Sequence, residues 1–177
     1  KLEKLNLAKC DNLKNIPSTI DTNIIKEPPH AIDMDPEIKN LDVREKILSK
    51  ILNAARLSPS SRNQQPWNLI TVRNRQTLKK IGETASSGSF ISQAPLAIGI
   101  VMKNADQPLM DAGRMLQQME LMAWSLGLGT CYVTFSPSER EKISEILRVP
   151  SDADLITVLP FGYRMDSVER KGVPRKK

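Results

Sequence analysis

The densest run of hydrogen-bonding side chains in the sequence is residues 58–67, SPSSRNQQPW. Its hydroxyl and carboxamide groups offer many donors and acceptors without forming a charge pair. Such a segment suits the polar edge of a pocket for a planar ligand that is recognised by hydrogen bonds. It also suits a capped helix end followed by a turn, because serine, proline and asparagine favour both. The residue types leave both interpretations open.

A second candidate segment is Gly127-Leu128-Gly129-Thr130. Glycine commonly ends a helix and turns the chain, which is sufficient reason for Gly127 to stand after a helical pattern. Glycines also allow a backbone to approach a ligand closely with its amide groups aimed at it. This motif alone does not decide between the two roles.

The sequence lacks the residues that several common metal-binding and catalytic sites require. His30 is the only histidine, and the two cysteines, Cys10 and Cys131, lie far apart without a CxxC pair. The sequence therefore predicts no zinc site of standard composition, and no histidine-based triad unless His30 supplies the base. We predict no metal ligands and assign no catalytic side chain.

The net charge of +6 is concentrated at the end of the chain. Residues 164–177 hold six basic side chains against Asp166 and Glu169, a local charge of +4. Such a tail is compatible with a solvated terminus, with phosphate contact, or with nucleic acid. Only 4% of the residues are aromatic, so few side chains are available for base stacking, and we expect no nucleic-acid partner.

Hydrophobic periodicity predicts alternating helices and strands. Helices are expected at residues 42–57, 76–83, 108–126 and 137–149, and strands at 67–72, 96–102, 130–135 and 155–161. The continuous apolar run 96–102 is typical of a strand covered on both faces, and 108–126 should be a central, buried helix. The regular βαβ repeat and the GxGxxG motif are both missing, which favours an α+β fold.

The length suits one ordinary domain. Residues 1–41, with four prolines, are predicted to be a partly irregular extension, and residues 42–177 the folded domain. No apolar run approaches the length of a membrane span, and the first residues lack a signal-type stretch, so we expect a cytoplasmic protein without a membrane partner.

Four segments together resemble the FMN-dependent nitroreductases. They are residues 54–67 (AARLSPSSRNQQPW), 93–101 (QAPLAIGIV), 111–133 (DAGRMLQQMELMAWSLGLGTCYV) and 147–164 (LRVPSDADLITVLPFGYR). They follow one another in the family's order and with family-like gaps. The resemblance implies an α+β homodimer, with a central antiparallel or mixed sheet of four to five strands flanked by helices, and two FMN molecules at the subunit interface.

The resemblance also implies a set of cofactor-binding residues: Ser60, Ser61, Arg62, Asn63, Gln65, Tyr132, Val133, Thr134, Arg175 and Lys176. The first five lie in a loop that lines the flavin, with contributions from both subunits. The next three form a strand beside the isoalloxazine ring. The last two are cations for the phosphate. One departure is that residues 30–38 (HAIDMDPEI) lack the family's usual Arg-Arg-Ser-x-Arg type motif, which supplies phosphate contacts.

The implied activity is an oxidoreductase that takes hydride from NADH or NADPH onto FMN and passes it to a small organic acceptor, such as a nitroaromatic or a quinone. The cofactor carries that chemistry, which agrees with the shortage of acid–base side chains. Two alternatives remain: a flavin-binding family member without turnover, which the missing arginines favour, and a basic nucleic-acid-binding domain, which only the tail favours.

Overall fold

The computed structural model describes Val43 and residues 45–163, which form four helices and four strands. In chain order these elements are α1 (Glu45–Arg56), β1 (Trp67–Val72), α2 (Arg75–Thr84), β2 (Leu96–Met102), α3 (Pro108–Ser125), β3 (Leu128–Thr130), α4 (Pro137–Leu147) and β4 (Asp154–Tyr163). Short 3-10 turns lie at Ser61–Asn63 and Ser89–Gln93. The predicted extension 1–41, with His30 and Cys10, lies outside the described residues.

The four strands form one sheet in the order β1-β2-β4-β3. Every neighbouring pair is antiparallel, which confirms the α+β prediction. Each of the three connections between consecutive strands contains a helix, and β1 and β3 form the two edges of the sheet. None of the helices in the described part of the chain is long and apolar enough to cross a membrane.

Strand β2 is buried along its whole length, as its continuous apolar run predicts. Ile98 and Ile100 pack in one hydrophobic cluster with residues of α1 and α3. Ala97 and Val101 face the other way, into a second cluster with residues of α2 and α4. Side chains alternate between the faces of a strand, so the sheet is covered by helices on both sides.

Helix α3 buries one side only. Ala112, Met115 and Met119 are buried against the sheet and α1. The opposite side leaves Leu109 69% and Leu121 43% exposed, so the prediction of a fully buried helix is wrong for that side. The helix ends before Gly127, whose φ of +81° lies in the left-handed region that the sequence pattern anticipated.

The strand predicted at residues 130–135 is shorter and earlier than expected. β3 pairs with β4 only through Leu128, Gly129 and Thr130. Val133 and Phe135 are buried and their neighbours are not, which is the alternation that suggested a strand. The carbonyl of Val133, however, accepts a hydrogen bond from the Thr157 hydroxyl at 2.7 Å instead of from a strand backbone. The alternation of apolar and polar residues showed which side of this segment is buried. It did not show that the segment lacks the backbone hydrogen bonds of a strand.

The start of α4 is fixed by Glu139. One carboxylate oxygen accepts a hydrogen bond from the backbone N–H of Ser136 at 2.7 Å, and Ser136 caps the helix in return, as the capping-box pattern predicts. The other oxygen accepts from the backbone N–H of Ser86, just beyond α2, at 2.8 Å. These two backbone hydrogen bonds lower the pKa of Glu139 from 4.5 to about 2. Glu139 thereby joins the end of α2 to the start of α4.

We expect the free energy of unfolding of Glu139→Gln to fall less steeply at acidic pH than that of the wild type. The folded-state pKa lies below the unfolded value of 4.5, so the wild type has this stabilisation above pH 4.5 and loses it as the pH falls towards about 2. The variant lacks it throughout. Urea unfolding measured at a series of pH values should show a smaller fall in the free energy of unfolding across that window. Glu141→Gln, an exposed change on the same helix, is the control, and an unchanged slope in Glu139→Gln would contradict the assignment.

Candidate functional site

The polar loop, residues 58–66, connects α1 to the edge strand β1. It is ordered by its own short-range hydrogen bonds. The hydroxyl of Ser60 accepts from the backbone N–H of Gln65 at 2.9 Å, and the carbonyl of Ser60 accepts from the N–H of Asn63 at 3.1 Å. The Gln65 side-chain amide donates to the carboxamide oxygen of Asn63 at 3.3 Å. The loop is therefore a defined structure in which Arg62, Asn63 and Gln65 remain exposed.

Three residues of the polar loop have left-handed backbone conformations. Their φ angles are +49° for Arg62, +56° for Asn63 and +50° for Gln65. Asparagine tolerates this region better than most residues, whereas arginine and glutamine do not favour it. Each such residue costs about 1 kcal/mol or more, and it persists only where the surroundings fix the backbone. Backbone strain of this kind is concentrated at binding and catalytic sites.

The surroundings that fix the polar loop come from the start of α3. The backbone N–H of Ser61 donates to Asp111 Oδ1 at 3.0 Å. Arg62 forms an ion pair with Asp106 at 3.3 Å, and the N–H of Asp106 donates to the side-chain oxygen of Gln64 at 3.2 Å. Because Arg62 is 80% exposed, its ion pair adds little stability, and Asp111 provides the buried contact.

The sequence analysis did not single out Asp111, Asp106 or Gln64. A signal for Asp111 was present, because it lies one helical turn before Met115, on the stripe that the helix buries. A carboxylate on such a stripe needs a partner. The identity of that partner, an N–H fifty residues earlier, depends on the tertiary fold.

The segment predicted to lie beside the flavin ring is residues 132–134. Val133 is buried, while Tyr132 and Thr134 are exposed. The Ser87 hydroxyl donates to the carbonyl of Thr134 at 2.9 Å, so the chain after α2 supports this segment. At Gly88 an added Cβ would lie 2.7 Å from a methyl of Val133, which explains why a glycine is needed there. The segment is positioned by contacts with α2 and β4.

The polar loop and residues 132–134 adjoin different strands of the sheet. The polar loop leads into β1 at one edge, whereas Val133 bonds to β4 on the side of the other edge. Thr157 belongs to β4 and pairs with Ile100 of β2. Strand β2 in turn pairs with β1, so it lies between β1 and β4. Neighbouring strands are roughly 4.8 Å apart, so β1 and β4, which are two strand spacings apart, are separated by about 10 Å. Among the described residues, no hydrogen bond or ion pair joins them. In the described part of the chain, the polar loop and residues 132–134 are thus two separate segments without a direct polar contact.

Two buried polar atoms lack a hydrogen-bond partner within residues 45–163. They are Asp111 Oδ2, beneath the polar loop, and Thr130 Oγ1, at the end of β3. Buried polar atoms are usually paired, so each of these retains unused hydrogen-bonding capacity close to a predicted cofactor-binding segment. Among the residues that the structure describes, no group of three His, Cys, Asp or Glu could hold a metal ion.

Cys131, next to the predicted ring-lining segment, is not activated as a nucleophile. Burial raises the pKa of its thiol, and the negative charge of Glu120 raises it further. Burial also raises the pKa of Glu120 itself. At neutral pH the Cys131 thiol is protonated, and only the thiolate is a strong nucleophile. The predicted phosphate-binding residues Arg175 and Lys176 lie outside the described residues.

The chain is similar to several known proteins in sequence and in fold. The model of the Nitroreductase family matches residues 39–107 and 102–163. A Methanothermobacter thermautotrophicus protein with the provisional name NADH dehydrogenase/NAD(P)H nitroreductase is 33% identical over 129 residues, covering 69% of this chain and 68% of its own. The FMN reductase [NAD(P)H] of Bacillus subtilis is 26% identical over 152 residues, which cover 73% of this chain and 61% of the reductase. A solved FMN-dependent nitroreductase from Clostridium difficile has a TM-score of 0.69 and 30% identity, with 76% of this chain and 83% of that chain covered.

Proposed function

The chain belongs to the Nitroreductase family, and from that premise we propose that it is a flavin-dependent oxidoreductase. It takes hydride from NADH or NADPH by way of FMN and passes it to a small organic acceptor, such as a nitroaromatic or a quinone. The observation that carries the proposal is the match of the family model on both sides of the sheet, including the polar loop and residues 132–134. The relatives named for NAD(P)H and FMN support the same reductant and cofactor.

The donors of the polar loop fit the ring of FMN. The ring's polar edge alternates carbonyl and N–H groups, and hydroxyl and carboxamide side chains can pair with both kinds. Ser61 and Asn63 provide these groups on a backbone that is already fixed, so little conformational entropy is lost on binding. The left-handed conformation of Asn63 is the kind of strain that binding sites retain.

When bound, FMN supplies a ring that accepts and returns a hydride. The protein has to hold the reactants at the correct distance and angle, which lowers the barrier without an acid or base from the chain. In this proposal the polar loop orients the edge of the ring through Ser60, Ser61, Arg62, Asn63 and Gln65. The face of the ring is lined by Tyr132, Val133 and Thr134.

We propose that the cofactor site is shared between two copies of the chain. Within one chain the two flavin-lining segments adjoin different strands, β1 and β4, and no hydrogen bond or ion pair among the described residues joins them. In the proposed site, the polar loop of one copy and residues 132–134 of the other line the same flavin. The exposed apolar side of α3 suits the contact, because Leu109, Met110 and Leu121 are exposed there. Gly113 lies on the same side with nothing within 4 Å of an added Cβ, which leaves room for a second helix to approach.

We propose that Arg175 and Lys176 hold the flavin phosphate and that the domain extends over residues 42–177. The phosphate is close to a dianion at neutral pH, so it needs cations or a helix N-terminus. Residues 30–38 have no arginine, whereas residues 164–177 carry six basic side chains against two acidic ones. Arginine can bond two phosphate oxygens at once, and lysine adds a point charge.

Anaerobic titration with NADH or NADPH tests the activity directly. We expect the protein loaded with FMN to lose the absorbance of oxidised flavin on addition of the reductant and to regain it on addition of a quinone or a nitroaromatic. A yellow protein that neither nucleotide bleaches would be a flavin-binding member without turnover. A protein that binds no flavin would overturn both proposals.

We expect Asn63→Asp to weaken the binding of FMN about 10- to 100-fold, because it removes a donor to a buried polar ligand at a cost of about 1–3 kcal/mol. Aspartate tolerates the same left-handed backbone, so the melting temperature of the flavin-free protein should change little. Asn104→Asp is the matched control, since Asn104 is also exposed and left-handed, with φ of +53°. Equal FMN affinities in the two variants would show that Asn63 only turns the chain.

We expect Leu121→Glu to convert a dimer into a monomer. The chain has a mass of 19.8 kDa, and sedimentation of the wild type should give twice that value. A glutamate on the exposed side of α3 costs a single chain little but places a charge in the contact of the dimer. The control is Lys80→Glu, a change of charge at an exposed position on α2. A wild-type monomer at micromolar concentration, or an undisturbed dimer in Leu121→Glu, would count against the shared site.

A further inference from the structure

Asp111 lies beneath the polar loop in an environment that is energetically unfavourable for a carboxylate. Its side chain is 0% exposed, and only Oδ1 is used, by the N–H of Ser61 at 3.0 Å and by Arg114 at 3.4 Å. Oδ2 is buried without a hydrogen-bond partner among the described residues. Replacing a buried charge that is incompletely paired by an apolar side chain is often neutral or stabilising. Stability alone therefore gives no reason for a carboxylate at this position.

The contact of Asp111 replaces a local helix cap. Ser61 is the first residue of the 3-10 turn Ser61–Asn63, and such a turn begins with N–H groups that need acceptors. Ser60 precedes the turn but its side chain does not cap it, because the Ser60 hydroxyl accepts from Gln65 instead. Asp111 provides the missing acceptor from α3. Among the contacts that hold residues 60–65, this is the one made by a fully buried side chain, so it helps to set the direction of the backbone through the turn.

Asp111 also connects the polar loop to the proposed dimer contact. It lies in the first turns of α3, directly after Leu109 and Met110, which are 69% and 55% exposed. A backbone held to this part of α3 keeps a fixed position relative to any copy that packs on the helix. Asp111 touches the backbone of the loop and not its exposed polar side chains.

We infer that Asp111 is a positioning residue for the flavin: its carboxylate sets the orientation of residues 60–65 so that Ser61 and Asn63 meet the ring. The inference rests on the proposed function. Asp111 acts through Ser61, so its loss should affect how tightly and in what orientation the flavin is held, while its contribution to the overall fold is secondary.

The first test compares Asp111→Ala with Asp111→Asn. Alanine removes the acceptor, whereas asparagine keeps an oxygen for the Ser61 N–H. We expect the dissociation constant of FMN to rise about tenfold or more in the alanine variant, and the visible circular dichroism of the bound flavin to change. The asparagine variant should restore both to about the wild-type values. Glu83→Ala, on α2 and away from the loop, should leave both unchanged. Wild-type flavin binding in Asp111→Ala would overturn the inference.

The second test does not depend on flavin. Hydrogen–deuterium exchange of the flavin-free protein should be about tenfold faster or more over residues 60–65 in Asp111→Ala than in the wild type and in Asp111→Asn, since an ordered loop protects its amides. Unchanged exchange there would overturn the inference. A wild type that binds no flavin would overturn the proposed function, and this exchange measurement would still decide whether Asp111 orders the loop.

The third test removes the donor, in case Asp111→Ala fails to fold. Ser61→Pro has no N–H, and the extended backbone of Ser60 (φ −131°, ψ 162°) accommodates a following proline at the start of a turn. Ser61→Ala keeps the N–H and loses only the hydroxyl. We expect FMN to bind about tenfold more weakly to Ser61→Pro than to Ser61→Ala. Equal affinities of the two variants would overturn the inference.

Discussion

The burial of both faces of the two central strands determines where this protein can bind a ligand. β2 is buried along its whole length and β4 along nearly all of it, with helices packed on either side. A sheet covered in this way has no open face for a ligand, so a ligand that reaches the sheet has to do so at its edges or at the connections between elements. The polar loop and residues 132–134 are two such places, and they adjoin strands that are two spacings apart in the sheet. In the proposed dimer, one site would use both segments, each supplied by a different chain.

Much of the fold could be predicted from the sequence because its main signals are local. The apolar run of β2, the helical spacing in α1 and the Ser136–Glu139 capping box each lie within a few residues, and all three are present in the structure. The α+β class followed from the order of these elements. The strand predicted at residues 130–135 was wrong, because alternation reports which side of a chain is buried and not whether a neighbouring backbone is there to pair with it.

The candidate site was predictable only in part. The polar loop stands out by composition, whereas its left-handed backbone and its attachment to Asp111 arise from contacts between distant parts of the chain. The resemblance to a family supplied residues 132–134, for which the residue pattern gave no functional signal. Arg175 and Lys176 lie outside the described residues and stay predictions. What the sequence could not reveal was the separation of the two segments, which depends on the strand order β1-β2-β4-β3.

That separation has a genetic consequence under the proposed dimer. Each chain would carry two different half-sites, and each half-site would be completed by the other chain. A subunit with a damaged polar loop and a subunit with damaged residues 132–134 would both be inactive as homodimers. Mixed together, they would form heterodimers in which one site collects both lesions and the other collects neither. Two inactive alleles would thus complement one another, with one working site in each mixed pair.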